Sequence, residues 1–273
     1  MKKMIVMDMD GTLLHLDKSC SIETANYLNN LKEKGYIIVL ASGRNLNAIL
    51  KPTYNSFFAN YIIADAGALI YDADKSFIIF KTKISKENVE AICSCYDKNT
   101  MEEITLVDTE FYNKYTLDTY KEREDCYFIK NKEDLERISN NSIHMSVSVK
   151  DNSYINEVIS LLKAKTKNLD FNIMQDSFNS KKWVEISNKK ISKASAIKKV
   201  ALLEKIDSNN IICFGDGLND IDMLEYCGVS VAMGNALEEV KNVCKYITDT
   251  NDNDGIVRFL EKYLDNKDKV VHE

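Results

Sequence analysis

Proline is almost absent: Pro52 is the only one in 273 residues, and glycine occurs just nine times. No Gly/Ser-rich linker, low-complexity tract or internal repeat interrupts the chain. Domain boundaries must therefore come from changes in residue pattern. No apolar run approaches the ~20 residues of a membrane span. The opening MKKMIVMD has an apolar stretch too short for a signal peptide, and it ends in carboxylates. The three histidines, at 15, 144 and 272, show no spacing that would pair them. Seven cysteines (20, 93, 95, 126, 213, 227 and 244) form neither a C-x-x-C motif nor a Cys/His ligand pattern. Their odd number and lack of framework point to reduced thiols in a cytoplasmic protein. Basic charge is also in deficit, 36 Lys+Arg against 42 Asp+Glu, a net charge of -6. No dense Lys/Arg block with interleaved aromatics appears, which excludes an obvious nucleic-acid surface. Lys163, Lys165 and Lys167 read as the solvated side or end of a helix. Membrane and nucleic-acid partners are therefore not expected. Nothing in the sequence separates a monomer from a homo-oligomer.

What remains is an ordinary globular balance, 45% hydrophobic and 29% charged, long enough for one large domain or two. The first third alternates strand and helix. Lys3 to Met9 is a continuous apolar strand, Tyr36 to Ala41 a second and Tyr61 to Ala64 a third. Between the first two, Ser21 can cap a helix that lines up Ile22, Ala25, Leu28 and Leu31 and stops at Gly35. Apolar strands separated by helices indicate a parallel sheet covered on both faces. A hairpin follows, Leu69 to Tyr71 against Phe77 to Lys81. The middle has a different texture. Ile104 to Val107 and Phe111 to Tyr115 flank a turn, and His144 to Lys150 alternates as a strand with one wet face. Cys93 and Cys95 fall within a helix, and a further helix is expected over Ser153 to Lys165. Strands are expected near Phe171 to Met174 and Trp183 to Ile186. The last third returns to the first texture, with strands Asn210 to Phe214 and Val229 to Ala232 among helices at Ser192 to Lys205, Ala236 to Val243 and Gly255 to Leu264. The expected architecture is an α/β, Rossmann-like parallel-sheet core (1–83 and 189–273) interrupted by an inserted α+β domain (84–188).

Three buried strands end in polar residues: Asp8-Met-Asp10-Gly-Thr12, Ser42-Gly43-Arg44 and Gly215-Asp216-Gly217-Leu218-Asn219-Asp220. In open parallel sheets, ligands bind at the carboxyl ends of the strands, so these segments converge despite their separation in sequence. Asp8, Asp10, Asp216 and Asp220 would crowd together there, and such a cluster needs a cation. Oxygen-only donors select a hard metal, Mg²⁺ before Ca²⁺ or Mn²⁺. The Ser42 hydroxyl, the N–H groups after Gly43 and Gly11, and the Asn219 amide could hold a phosphate. Each segment alone could be a mere strand-to-helix connection, with Asn219 and Asp220 capping the next helix. Together they point to a site.

DMDGTLL, ASGR, ISKASAI and GDGLND…ML…VAMGNA resemble the haloacid dehalogenase superfamily, and most of all its Cof-type phosphatases with a class IIB cap. The likeness runs from Met1 to about Tyr71 and from Ile191 to Gly255. Residues 84–188 resemble the cap in place and texture only. The resemblance implies a Mg²⁺-dependent phosphomonoester hydrolase of small phosphorylated metabolites, in the sugar phosphate, flavin mononucleotide or pyridoxal phosphate class, with the inserted domain selecting the substrate. It implies that Asp8 is the nucleophile and Asp10 the general acid/base. Ser42, Gly43, Lys193 and Asn219 would bind phosphate. Asp8, the backbone carbonyl of Asp10 and Asp216 would bind the metal, with Asp220 and Thr12 in support. Lys193 comes from the resemblance alone, because a lysine in a helix's first turn ordinarily lies in solvent. Ion-pumping relatives have Thr where this chain has Asp10, so hydrolysis is favoured over a phosphoenzyme pump. A phosphomutase and a non-catalytic sugar-phosphate-binding regulator stay open as alternatives. A response-regulator receiver has no place for GDGLND or the insertion. Two departures stand out: Asp65-Ala66-Gly67 where the family often has Asn-Gly, which removes a polar group near the site, and Cys244 where it often has Ala. Trp183 and Tyr112 could stack on a substrate ring or fill a core.

Overall fold

The computed structural model describes residues 2–50, 58–108, 114–116, 126–129, 131–175 and 180–270. Tyr112 and His272 lie outside them, as does part of the expected strand at 111–115. The chain divides into two compact units, one built from Met1–Ile79 and Ser192–Glu273, the other from Phe80–Ile191. Among the described residues, no helix is long and apolar enough to cross a membrane.

The first unit holds β1 (Met4–Met7), β2 (Ile37–Ala41), β3 (Tyr61–Ala64), β4 (Leu69–Asp72), β12 (Ile211–Gly215), β13 (Val229–Ala232) and β14 (Tyr246–Ile247), numbered along the chain. The sheet runs β14-β13-β12-β1-β2-β3-β4, with β5 (Phe77–Lys81) after β4. The pairs from β14 to β3 are parallel, and β4 turns back antiparallel on β3. β1 to β3 step outward on one side of β1, and the chain then returns on the other side with β12. That reversal makes a crevice between the carboxyl ends of β1 and β12, where open α/β sheets bind ligands. Every residue of β1 and β2 is buried, as a sheet covered on both faces requires.

The helices are α1 (Ile22–Glu33), α2 (Leu46–Ile49), α6 (Lys193–Glu204), α7 (Ile221–Tyr226), α8 (Glu238–Val243) and α9 (Gly255–Val270). Ser21 caps α1 by accepting the Thr24 N–H, and Gly35 follows its end at φ +89°. Ala25, Leu28 and Leu31 face inward as expected, but Ile22 does not. It is 72% exposed, because a residue beside the cap lies ahead of the first turn that the sheet covers. Ser192 caps α6 and Ser195 returns a bond to it, a reciprocal capping box.

The reduced state expected for all seven cysteines is corrected at one pair. Cys213 in β12 is disulfide-bonded to Cys227, 14 residues on at the end of α7, with Cα atoms 6.1 Å apart. α7 folds back on the strand that precedes it, which brings the two together although no sequence spacing announces it. Cys20, Cys93, Cys95 and Cys244 are free thiols.

The second unit is a sheet in the order β10-β11-β9-β6-β7-β8. Its strands are β6 (Met101–Asp108), β7 (Lys114–Thr116), β8 (Cys126–Phe128), β9 (Ser142–Val149), β10 (Leu169–Gln175) and β11 (Lys182–Asn188). All pair antiparallel except β7 with β8. α3 (Lys86–Ser94), α4 (Lys132–Ser139) and α5 (Ile155–Lys165) supply Val89, Ile92, Ile138, Val158 and Leu162 to its core, against Ile104, Leu106, Met145, Val147, Val184 and Ile186. Cys95 is the cap residue after α3 rather than part of it. The face of β9 expected to be wet is only half-exposed at Ser146 and Ser148, and His144 on the same face is buried. Trp183 is half-buried in β11, opposite Met174 and Ser148.

Candidate active site

β1 ends at Met7, and the next residue, Asp8, sits in the crevice with its backbone N–H donated to the Phe214 carbonyl of β12. The chain then turns tightly. Leu13 N–H returns to the Asp8 carbonyl and Leu14 N–H to that of Met9. Gly11 makes this possible at φ +78°, and a Cβ there would lie 2.3 Å from Asp216 Oδ2. Only glycine both adopts that backbone and leaves room for the carboxylate. Thr12, buried beside it, donates its hydroxyl to Asp216 Oδ1 at 2.7 Å.

Asp216 follows β12 as Asp8 follows β1. Carboxylate oxygens of Asp8, Asp216 and Asp220 lie within 4.8 Å of one another. Asp220 stands at the N-cap position of α7, but its side chain makes no capping hydrogen bond to that helix. Its Oδ2 accepts the N–H groups of Asp216 and Gly217, each at 3.0 Å, and so fixes the loop that carries Asp216.

Lys193 is the surprise of the site. It opens α6, yet only 2% of it is exposed. Its Nζ donates to Asp8 Oδ1 at 2.6 Å and to Asp220 Oδ1 at 2.7 Å. Gly67 permits this: at φ +103° it lies so close to Ser192 that a Cβ would meet the Ser192 carbonyl oxygen at 2.2 Å. The turn after β3 thereby seats the start of α6 over the crevice. Burial alone would lower the ammonium pKa, but the charges of Asp220 and Asp8 overcome it and hold the ammonium well above its ordinary range.

The acids respond to the same crowding. Burial drives Asp8 well above the usual carboxylate range; Lys193 opposes the shift, and Asp220 and Asp216 add to it. Burial and the nearby Asp220 push Asp216 up to about 7, against the Thr12 hydrogen bond and Lys193. Three carboxylates facing one ammonium leave negative charge uncompensated. A cation among them would reverse these shifts. Asp220 has its oxygens taken by Lys193 and two N–H groups, so Asp8 and Asp216 are the carboxylates with capacity to spare. The donors are hard oxygens, and Gly11 keeps the space beside Asp216 open. The residues fit a hard divalent cation.

Asp10 stands apart from this group. Arg44 holds it through Nε to Oδ2 and Nη2 to Oδ1, both at 2.6 Å, and Lys18 Nζ reaches Oδ1 at 2.8 Å. Burial works against ionisation, but these two cations prevail and keep its carboxyl below the ordinary range. Ser42 is buried just past β2, and its Oγ accepts the Arg44 N–H at 3.1 Å. Gly43 is half-buried, and Asn219 is exposed on the Gly217 loop. His15, for which no partner was legible, sits 3.3 Å from Asp254 Oδ1. Arg44 and Lys18 had no assignment in the sequence; the signal was only that Arg44 follows Ser42-Gly43 at a strand end.

The family model of haloacid dehalogenase-like hydrolases matches residues 5–260. Among curated proteins, the chain is 27% identical over 262 residues to 5-amino-6-(5-phospho-D-ribitylamino)uracil phosphatase YcsE of Bacillus subtilis, covering 96% of each. It is also 27% identical over 290 residues to the phosphatase YwpJ of the same organism, covering 96% of this chain and all of that one. Among solved structures, a haloacid dehalogenase-like hydrolase from Bacteroides thetaiotaomicron superposes with a TM-score of 0.81 at 25% identity, covering 96% of this chain and 100% of the other.

Proposed function

The chain belongs to the haloacid dehalogenase-like hydrolases, and from that premise we propose that it is a Mg²⁺-dependent phosphomonoesterase of small metabolites that works through an aspartyl-phosphate on Asp8. The observation that carries this reading is the Asp8 carboxylate at the end of β1, held by a buried Lys193 and facing Asp216 at the end of β12. Asp8, Asp216 and the Asp10 backbone carbonyl would hold the metal. When bound, Mg²⁺ supplies neutralisation and alignment of the phosphoryl group.

The chain's own groups do the rest. Lys193 opposes the burial that raises Asp8, and together with a bound cation it would leave Asp8 ionised, so that one of its oxygens can attack phosphorus in line. The P–O bond to the leaving group breaks, and the departing oxygen takes a proton from Asp10, whose carboxyl must leave the Arg44 and Lys18 cations and be protonated before that step. Water then attacks the aspartyl-phosphate while Asp10 takes a proton back, which releases phosphate and restores Asp8. Lys193, the Ser42 hydroxyl, the backbone after Gly43 and the Asn219 amide would hold the non-bridging oxygens, with Thr12 and Asp220 supporting the Asp216 loop.

The relative named for a phosphoribityl compound favours the sugar phosphate and flavin mononucleotide classes over pyridoxal phosphate. Hydrolysis of p-nitrophenyl phosphate with Mg²⁺ should be present in the wild type and absent in Asp8→Asn. Full activity in Asp8→Asn would dismiss the mechanism.

A further inference from the structure

We infer that Asn235 is a positioning residue for the metal site: it holds the Gly11–Thr12 peptide, and through Thr12 it fixes the Asp216 carboxylate. The inference rests on the reading above, in which Asp216 is a Mg²⁺ ligand. The turn after β1 pairs the Asp8 and Met9 carbonyls within itself, with the N–H groups of Leu13 and Leu14. The carbonyls of Gly11 and Leu14 are met from elsewhere, each by an asparagine amide. Asn235 Nδ2 donates to the Gly11 carbonyl at 2.7 Å, and Asn251 Nδ2 donates to the Leu14 carbonyl at 2.7 Å. The two asparagines are also joined, because the Asn251 N–H donates to Asn235 Oδ1 at 3.0 Å. A carbonyl can only accept and a backbone N–H can only donate, so these neighbours fix which way the Asn235 amide faces. Aspartate or leucine, of nearly the same shape, could not make both bonds.

Asn235 lies on the loop after β13, and that loop also holds the other arm of the site. Met233 N–H donates to the Gly215 carbonyl at 3.1 Å, and Leu237 N–H to the Asp216 carbonyl at 3.2 Å. Asp216 is thus gripped at both ends. Leu237 holds its backbone directly, and the Thr12 hydroxyl holds its carboxylate at 2.7 Å. Thr12 begins at the peptide whose carbonyl Asn235 holds. A peptide group is planar, so a bond to the Gly11 carbonyl sets the plane from which Thr12 departs. The loop is itself anchored, with Gly234 N–H on the Asp249 carbonyl and Thr248 N–H on that of Ala232, both at 3.0 Å. Asn251 is buried and Asn235 exposed, so Asn251 is the anchor and Asn235 the arm. Replacing an exposed side chain ordinarily changes stability little, which separates its effect on the metal from any effect on folding.

The test is calorimetric titration of the metal-free protein with Mg²⁺, beside its metal-free melting midpoint. Groups that orient a metal ligand directly are worth about tenfold or more in metal affinity. Asn235 stands one bond further out, so Asn235→Ala should weaken Mg²⁺ binding about three- to tenfold. Its metal-free midpoint should fall by less than about 2 °C. Thr12→Val should lose at least as much affinity, and adding Asn235→Ala to it should cost less than about twofold more, because the route to Asp216 is already cut. The Mg²⁺ concentration that half-activates hydrolysis of p-nitrophenyl phosphate should rise in Asn235→Ala by the same factor as the Kd. Unchanged affinity in Asn235→Ala, whether or not the midpoint falls, would overturn the inference, since Asn235 would then support only the fold. An equal loss with and without the Thr12 hydroxyl would overturn it too. A wild type that binds Mg²⁺ but hydrolyses no phosphate ester would defeat the phosphatase reading alone, and one that binds no Mg²⁺ would defeat both.

Discussion

Replacing Lys193 with methionine removes a charge but little volume. In the native protein this side chain bridges Asp8 and Asp220, and all three residues are buried. Deletion of one partner from a buried ion pair costs about 3–5 kcal/mol, because the other partner stays behind uncompensated. Here two carboxylates stay behind, with Asp216 beside them. Asp220 retains the N–H groups of Asp216 and Gly217, which limits its share of the damage. At about 2–4 °C per kcal/mol for a unit of this size, the melting midpoint should fall by about 6–20 °C. The assay is thermal unfolding of metal-free protein followed by far-ultraviolet circular dichroism. Tryptophan fluorescence would mislead, since Trp183 lies in the other unit. The deficit should be largest at pH 8 and shrink toward pH 5, where protonation discharges Asp8 and Asp216, both raised by burial. A fall below about 2 °C, or a deficit equal at both pH values, would refute the account of Lys193 as the counter-charge of the site.

Three further outcomes follow from the same geometry. Asp216 is raised from an ordinary 3.8 to about 7 in the folded protein, so its contribution to stability is present below about pH 4 and lost as pH rises through 7. Metal-free protein should therefore melt lower at pH 8 than at pH 6, and Mg²⁺ should raise the midpoint more at pH 8; a metal effect independent of pH would contradict this. Gly11→Ala drives a methyl group into Asp216 Oδ2 on a backbone at φ +78°, and should weaken Mg²⁺ binding by more than tenfold in calorimetry, about 1.4 kcal/mol. Ala66 occupies a left-handed conformation at φ +52°, so Ala66→Gly should stabilise the fold by about 0.5–1 kcal/mol, read as a higher melting midpoint.

The site was legible wherever chemistry and secondary structure coincide. Asp8 and Asp216 could be placed because apolar runs of strand length end just before them. Ser21 and Ser192 marked the helix starts that the structure shows. Lys193 was opaque for a physical reason: a lysine in a first helical turn is ordinarily solvated, and its burial arises only when Asp8, Asp220 and Gly67 meet it from three other segments. The Arg44 and Lys18 clasp on Asp10 is likewise a product of folding, since no local pattern joins positions 10, 18 and 44. Two-residue β14 is too short to carry a periodicity, and α4, KEDLERIS, is largely polar. Ile22 erred the other way, apolar in the right register but one turn too early to be covered. The Cys213–Cys227 bond joins residues whose proximity depends on α7 folding back, which spacing alone does not reveal.

The division of labour between Asp8 and Asp10 is the central claim, and acid-quenched, rapidly mixed enzyme tests it directly. Mass spectrometry of the quenched protein should find a phosphoryl group on the peptide carrying Asp8 in the wild type. It should find none in Asp8→Asn, and in Asp10→Asn the same phosphoenzyme should form and decay slowly. Phosphoenzyme in Asp8→Asn, or identical trapped amounts in the two variants, would contradict the assignment of nucleophile to one acid and proton carrier to the other.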